Sequence, residues 1–158
     1  PNSILDNSPD MTPPSMLYTQ VLSNDLVEII FSEKLNPTSV LKENFQISPE
    51  RLIHSVFIDT TFLTSVQLKL VDSLVPSQVY TLSAVHVSDC IGNRIADAVN
   101  TFVLPEEAVT SDILISEIFA DPTPTVALPA AEFIEIYNRS EKIIDLYNYQ
   151  ISDGSSTG

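Results

Sequence analysis

The sequence predicts an all-β protein built on an antiparallel β-sandwich, and three observations predict it. Short runs alternate apolar and polar residues, which gives each run one face for a core and one for water. Clusters of Pro, Asn, Asp and Ser punctuate these runs. Glycine is scarce, with 3 in 158 residues and Gly92 alone ahead of residue 154, so the turns depend on those other residue types. No segment with the 3.6-residue period of a helix is long enough to interrupt the pattern.

Taken in order, residues 1–14 are rich in Pro, Asn, Asp and Ser and read as a leading linker. Residues 15–104 then carry about seven strand signals. Ser15–Leu22 is the first. Leu26–Ser32 is the second, with Val27, Ile29 and Phe31 on one face, joined to the first by a Ser23-Asn24-Asp25 turn. Asn36 precedes Pro37 as an N-cap precedes a proline at the first helical position, so Thr38–Lys42 holds one or two helical turns at most. Phe45 and Ile47 mark a short strand, and Leu52–Ile58 another. Thr64–Val71 sets Val66, Leu68 and Leu70 against Gln67 and Lys69, and Val79–Val87 sets Tyr80, Leu82 and Ala84 against Thr81 and Ser83. Asp89–Asn93 is a turn in which Gly92 is free to take positive φ. Val99–Leu104 closes the set. Strands at this spacing, with no helix between them, predict two sheets packed face to face.

Residues 105–112 are polar and acidic and read as a linker. Residues 113–158 hold two strand-like runs around a Pro-rich loop, then two further strand signals near Ile144 and Ile151.

Composition narrows the function. With 21 acidic and 7 basic residues the net charge is −14, which opposes nucleic-acid phosphates and anionic membrane surfaces alike. The acids are spread along the chain, as a solvated acidic surface would have them. No apolar run reaches the ~18 residues of a membrane helix. The single cysteine, Cys90, excludes an internal disulfide, so a core must hold the fold, and a small buried hydrophobe is the expected role of this residue. Residue 1 is Pro and not Met, which points to a processed chain or an internal piece; the missing leader therefore says nothing about export.

Four motifs in residues 12–104 are carried in order: the Thr12-Pro13-Pro14 opening, Phe31-Ser32-Glu33-Lys34-Leu35-Asn36-Pro37, Val79-Tyr80-Thr81-Leu82-Ser83, and Asp89-Cys90-Ile91-Gly92-Asn93. Together they resemble the bacterial Ig-like domains of surface-layer and large secreted proteins. Cys90 departs from that pattern, at a place where a small or polar residue is expected. Residues 113–158 resemble the lamin tail domain, another Ig-like β-sandwich. That resemblance rests on Ile115-Ser116-Glu117-Ile118, Asp121-Pro122, Glu132 to Asn138, Ile144-Asp145-Leu146 and Ile151-Ser152-Asp153-Gly154. A full Ig-like sandwich takes roughly 100 residues, so these 46 are expected to be a truncated, partial second sandwich. Such a piece is expected to pack on the first unit, to self-associate through its open sheet, or to stay loosely ordered.

Asp89, Asn93, Asp121, Glu132 and Asp145 are weak metal candidates. Calcium takes six to eight oxygens, and turn structure is the preferred reading of Asp89 and Asn93. Glu117 and Glu135 are expected on solvent faces. His54 and His86, with no nearby ligand spacing, read as partly buried strand residues and not as a zinc site. Asn138-Arg139-Ser140 is a formal glycosylation sequon set in a tight turn, and the turn reading is preferred. Phe133, Tyr137, Tyr147 and Tyr149 read as core and rim packing. No phosphate loop, nucleophile elbow or zinc-protease motif occurs, so no catalytic residue and no cofactor is assigned.

The resemblances imply a non-catalytic spacer, adhesion or interaction module of a bacterial secreted or cell-surface protein, extracellular, with a protein or glycan partner. The alternative is a carbohydrate- or calcium-dependent binding domain attached to an exported hydrolase.

Overall fold

The computed structural model describes residues 10–96, 98–120 and 131–152. The chain divides into two compact units, residues 1–104 and 105–158.

The first unit is a sandwich of two antiparallel sheets. Strands β1 (Met16–Ser23), β2 (Leu26–Phe31), β4 (Ile53–Ile58) and β5 (Ser65–Leu70) form one sheet in the order β1-β2-β5-β4. Strands β3 (Phe45–Ser48), β6 (Val79–Ala84) and β7 (Ala98–Val103) form the other in the order β3-β6-β7. The alternation seen in the sequence decides the core. Val27, Ile29 and Phe31 of β2 are buried together with Val66, Leu68 and Leu70 of β5. Facing them are Phe45 and Ile47 of β3 and Tyr80, Leu82 and Ala84 of β6. Tyr80 stacks on Phe102 of β7 with ring centroids 5.5 Å apart. Leu35, Leu74, Val87 and Ile95 close the ends of this core from the connecting loops.

The polar connections work as their residue types direct. Asn36 caps a 3-10 turn at Pro37–Ser39, its side chain accepting from Thr38 N at 3.1 Å. A second such turn covers Lys42–Asn44, so helical structure here does not exceed single turns. Strand β6 ends earlier than the run to Val87 suggested. His86 takes φ +60°, a left-handed conformation that breaks an extended strand. Both histidines are exposed, which corrects the expectation of partial burial. Cys90 is exposed as well and not a buried hydrophobe, since it sits in the Asp89 turn with Sγ 3.5 Å from Leu35 O.

The second unit is built on one hairpin, β8 (Ile113–Phe119) paired antiparallel with β9 (Phe133–Asn138). A bulge between Ile115 and Glu117 shifts the register. In an unbroken strand Ile115 and Ile118 would face opposite ways. With the bulge, Ile115 pairs with Ile136 and Ile118 with Ile134, and all four share one face. The signal at Ile144 does not give a strand, and of the one at Ile151 only Ile151 and Ser152 lie among the described residues, with Ser152 in a β-bridge. Between the two, Asn148 takes φ +67° and Tyr149 N bonds back to Leu146 O at 3.0 Å, which makes a turn. Residues leading into β8 pair with those following β9: Glu106 N donates to Ile143 O and Arg139 N to Asp112 O. Lys142 and Asp112 form an ion pair at 2.9 Å. No described residue of this unit is buried. A two-stranded hairpin with little buried surface is marginal by itself in water.

Candidate functional site

Three places gather polar chemistry: the Asp89 turn, the outer face of the four-stranded sheet, and the motif residues of the second unit.

Asp89 is nearly fully buried, at 2% exposure, and its carboxylate organises the turn. Its Oδ1 accepts from the backbone amides of Ile91, Gly92 and Asn93 at 2.9, 2.6 and 2.8 Å. Its Oδ2 accepts from Asn93 Nδ2 at 2.7 Å. Gly92 takes φ +107°, as the tight reversal requires, whereas Asn93 does not enter the left-handed region. Desolvation pushes the Asp89 pKa up, but the hydrogen bonds from the Asn93 side chain and the three amides outweigh it and hold the group below the usual aspartate range.

The sequence did not bring Asp10 and Glu33 to this turn, because the three acids lie far apart along the chain. In the structure one carboxylate oxygen from each of Asp10, Glu33 and Asp89 lies within 4.8 Å of the others. Asn93 Nδ2 also donates to Asp10 O at 3.1 Å. Desolvation, with repulsion from Asp10 and Asp89, pushes the Glu33 pKa up. Three carboxylates are fewer than the ligands calcium takes, and both oxygens of Asp89 already receive hydrogen bonds.

On the outer face of the four-stranded sheet, Gln20, Glu28, Gln67 and Phe57 stand opposite one another across β1, β2, β5 and β4. Glu28 is the hub. It accepts from Gln20 Nε2 at 2.5 Å, Ser65 Oγ at 2.6 Å and Gln67 Nε2 at 3.2 Å. The Ser65 bond, supported by those from Gln20 and Gln67 and opposed by desolvation, holds Glu28 below the usual glutamate range. Pairing across strands hides this set from a linear reading. The signal available in the sequence was the polar phase of β2 and β5.

In the second unit, Ser116 Oγ at the β8 bulge bonds Glu135 Oε1 at 2.7 Å, and Phe119 stacks on Phe133 with centroids 5.2 Å apart. Glu117 and Glu135 stand directly opposite each other and exposed. The Asn138 turn is closed by its own side chain. Oδ1 accepts from Ser140 N and Ser140 Oγ, and Nδ2 donates to Lys142 O. Residues 106–157 match the family model described as Lamin Tail Domain.

Within the segment that this family model matches, the described candidates Glu132 and Asp145 are not gathered into a group that could hold a metal ion. Asp145 is exposed and its Oδ1 accepts from Tyr147 N at 2.8 Å, a turn contact. Glu132 is exposed and lies just before β9. Asp121 lies outside the described residues. Tyr137, Tyr147 and Tyr149 are exposed and not packed into a core, because the hairpin has no facing sheet among the described residues.

Among solved structures, the chain is similar to the N-terminal part of the bacterial S-layer protein SbsC, at 17% identity and TM-score 0.58, covering 67% of this chain and 26% of that one. It is likewise similar to SbsC domains 1-6, at 17% identity and TM-score 0.57, covering 67% and 15%. A third similarity is to rSbsC(31-844), at 17% identity and TM-score 0.56, covering 71% and 17%. At this identity the likeness is one of fold, and the chain spans about a quarter or less of those proteins. No curated protein matches the chain. Among the described residues no helix is long and apolar enough to cross a membrane.

Proposed function

We propose that this chain is a non-catalytic structural or interaction module of a bacterial secreted or cell-surface protein, acting as a spacer or adhesion unit outside the cell. The observation that carries the reading is how its acids are used. The Asp89 carboxylate is spent on a turn and Glu28 on a cross-strand ladder, and both are held below the ordinary carboxylate range; Glu33 is drawn up by desolvation and by its neighbours Asp10 and Asp89. Hydrogen bonds to the charged form stabilise ionised carboxylates, whereas a general acid needs its pKa drawn up toward the working pH. A sandwich likened in fold to S-layer domains and followed by a lamin tail segment supports the same reading. The test is twofold. The purified chain is incubated with chromogenic ester, phosphate and glycoside substrates, and separately co-sedimented with isolated bacterial cell envelopes. The reading predicts no turnover above buffer and retention with the envelopes. Turnover that follows the protein through purification, or no retention, contradicts it.

A further inference from the structure

The outer face of the four-stranded sheet is more than a solvated surface. Phe57 on β4 is 58% exposed and Tyr18 on β1 is 52% exposed, so two aromatic rings stand in water at opposite edges of one sheet. Neither ring faces the core: Tyr18 pairs with Ile30 and Phe57 with Gln67, in the polar phase of the alternation. Four strands at ~4.8 Å spacing place the two edges about 14 Å apart. Between the rings lies the ladder of Gln20, Glu28, Ser65 and Gln67. Its side chains are held in place by the three bonds to Glu28, before any ligand arrives. Beside Phe57 the face sinks into an open depression of about 380 Å³, lined in part by Glu28, Ser65 and Gln67.

We propose that this face binds a neutral oligosaccharide laid across the strands, with sugar rings on Phe57 and Tyr18 and sugar hydroxyls on the Gln20–Glu28–Gln67 ladder. The chemistry selects that class of ligand. A pyranose offers a C–H face that packs on an aromatic ring and a rim of hydroxyls that both donate and accept. An exposed ring gives such a face an apolar partner at little entropic cost. A glutamine amide donates and accepts at once, and an ionised carboxylate accepts strongly from hydroxyls. The three bonds Glu28 receives leave acceptor capacity on its two oxygens.

Charge argues for a neutral glycan over a sulfated or uronic one. Glu28 and Asp59 both line the depression, and the chain carries net charge −14. The one Lys or Arg on these four strands, Lys69, is tied to Asp25 at 2.6 Å. An anionic sugar would meet two carboxylates with no unpaired lysine or arginine on the four strands to offset them. The proposal names a partner for the interaction module and in that respect rests on the reading above.

The test is native affinity electrophoresis of the full chain in gels containing soluble β-glucan, xylan, mannan or dextran, with alginate as the anionic control. It is run alongside Phe57→Ala and Tyr18→Ala. Both side chains are exposed, and unchanged thermal melting verifies that the variants fold. The expected result is retardation by at least one neutral polymer, weakened at least about tenfold in Kd by either variant. Three results overturn the proposal: retardation by none of the polymers, retardation by alginate alone, or retardation that both variants retain in full. In each of these cases envelope retention without turnover leaves the module reading standing. Retardation accompanied by cleavage of the polymer would instead overturn the module reading and keep the binding face.

Discussion

Removing one oxygen from the core should cost the sandwich much of its stability. Tyr80 is fully buried, and its hydroxyl accepts from Val75 N at 3.0 Å and from Arg51 Nη2 at 2.8 Å. The Arg51 guanidinium also sits 5.2 Å from the Tyr80 ring centroid. Tyr80→Phe keeps the ring, its stacking on Phe102 and nearly all its volume, so no cavity of consequence forms. What is lost is the acceptor for two donors. A neutral hydrogen bond contributes about 0.5–1.5 kcal/mol and one to a charged group about 1.5–3 kcal/mol, which brackets the loss at about 2–4.5 kcal/mol. Arg51 and Val75 both retain access to water, which re-solvates part of what is freed and draws the value toward the lower end. For a unit of this size each kcal/mol moves the melting midpoint by about 4–8 °C, so a fall on the order of 10 °C is expected. Urea unfolding followed by circular dichroism measures it, with an unchanged m-value required. In an Arg51→Met background the same substitution should cost only about 1 kcal/mol, because only the amide bond remains to be lost. A change within about 0.5 kcal/mol for Tyr80→Phe in the unmodified chain would refute the reasoning.

Acid should act on the Asp89 end of the sandwich in two opposite steps. Glu33, whose pKa is raised by desolvation and like charge, contributes stability that is present when it is protonated and lost as pH rises through its folded pKa. Asp89 and Glu28 are held low, so their contribution is present above the unfolded values and lost as pH falls through the folded ones. Melting midpoints should therefore hold or rise slightly as pH drops from 7 toward ~5, then fall steeply below ~4. Glu33→Gln should remove the first step, and Asp89→Ala should lower the midpoint at pH 7 while blunting the second. A midpoint that falls steadily from pH 7 downward would count against this assignment.

The strands of the first unit were legible because burial has a period of two there. Val27, Ile29 and Phe31, then Val66, Leu68 and Leu70, then Tyr80, Leu82 and Ala84 are all buried and alternate with less buried residues that are polar except for Ile30. The Asn36 cap and the Asp89 turn were legible for a related reason, since each is a side chain bonding amides two to four residues ahead. What escaped was set by tertiary pairing or by single dihedrals. Asp10, Glu33 and Asp89 meet only once the loops at one end of the sandwich are assembled. The Glu28 ladder exists only across three strands. The bulge at Ser116 and the left-handed Asn148 are one-residue events that an alternation pattern averages over.

The sandwich core carries the fold, while the segment that matches the lamin tail model presents an exposed hairpin. Hydrogen exchange of the intact chain, followed by mass spectrometry, tests it most directly. Exchange is expected to be slow and globally limited in β2, β5 and β6, whose amides lie among buried side chains. Exchange is expected to be faster by orders of magnitude in β8 and β9, whose described residues are all at least partly exposed. Protection in β8 and β9 equal to that of β5 in a monomeric sample would contradict it.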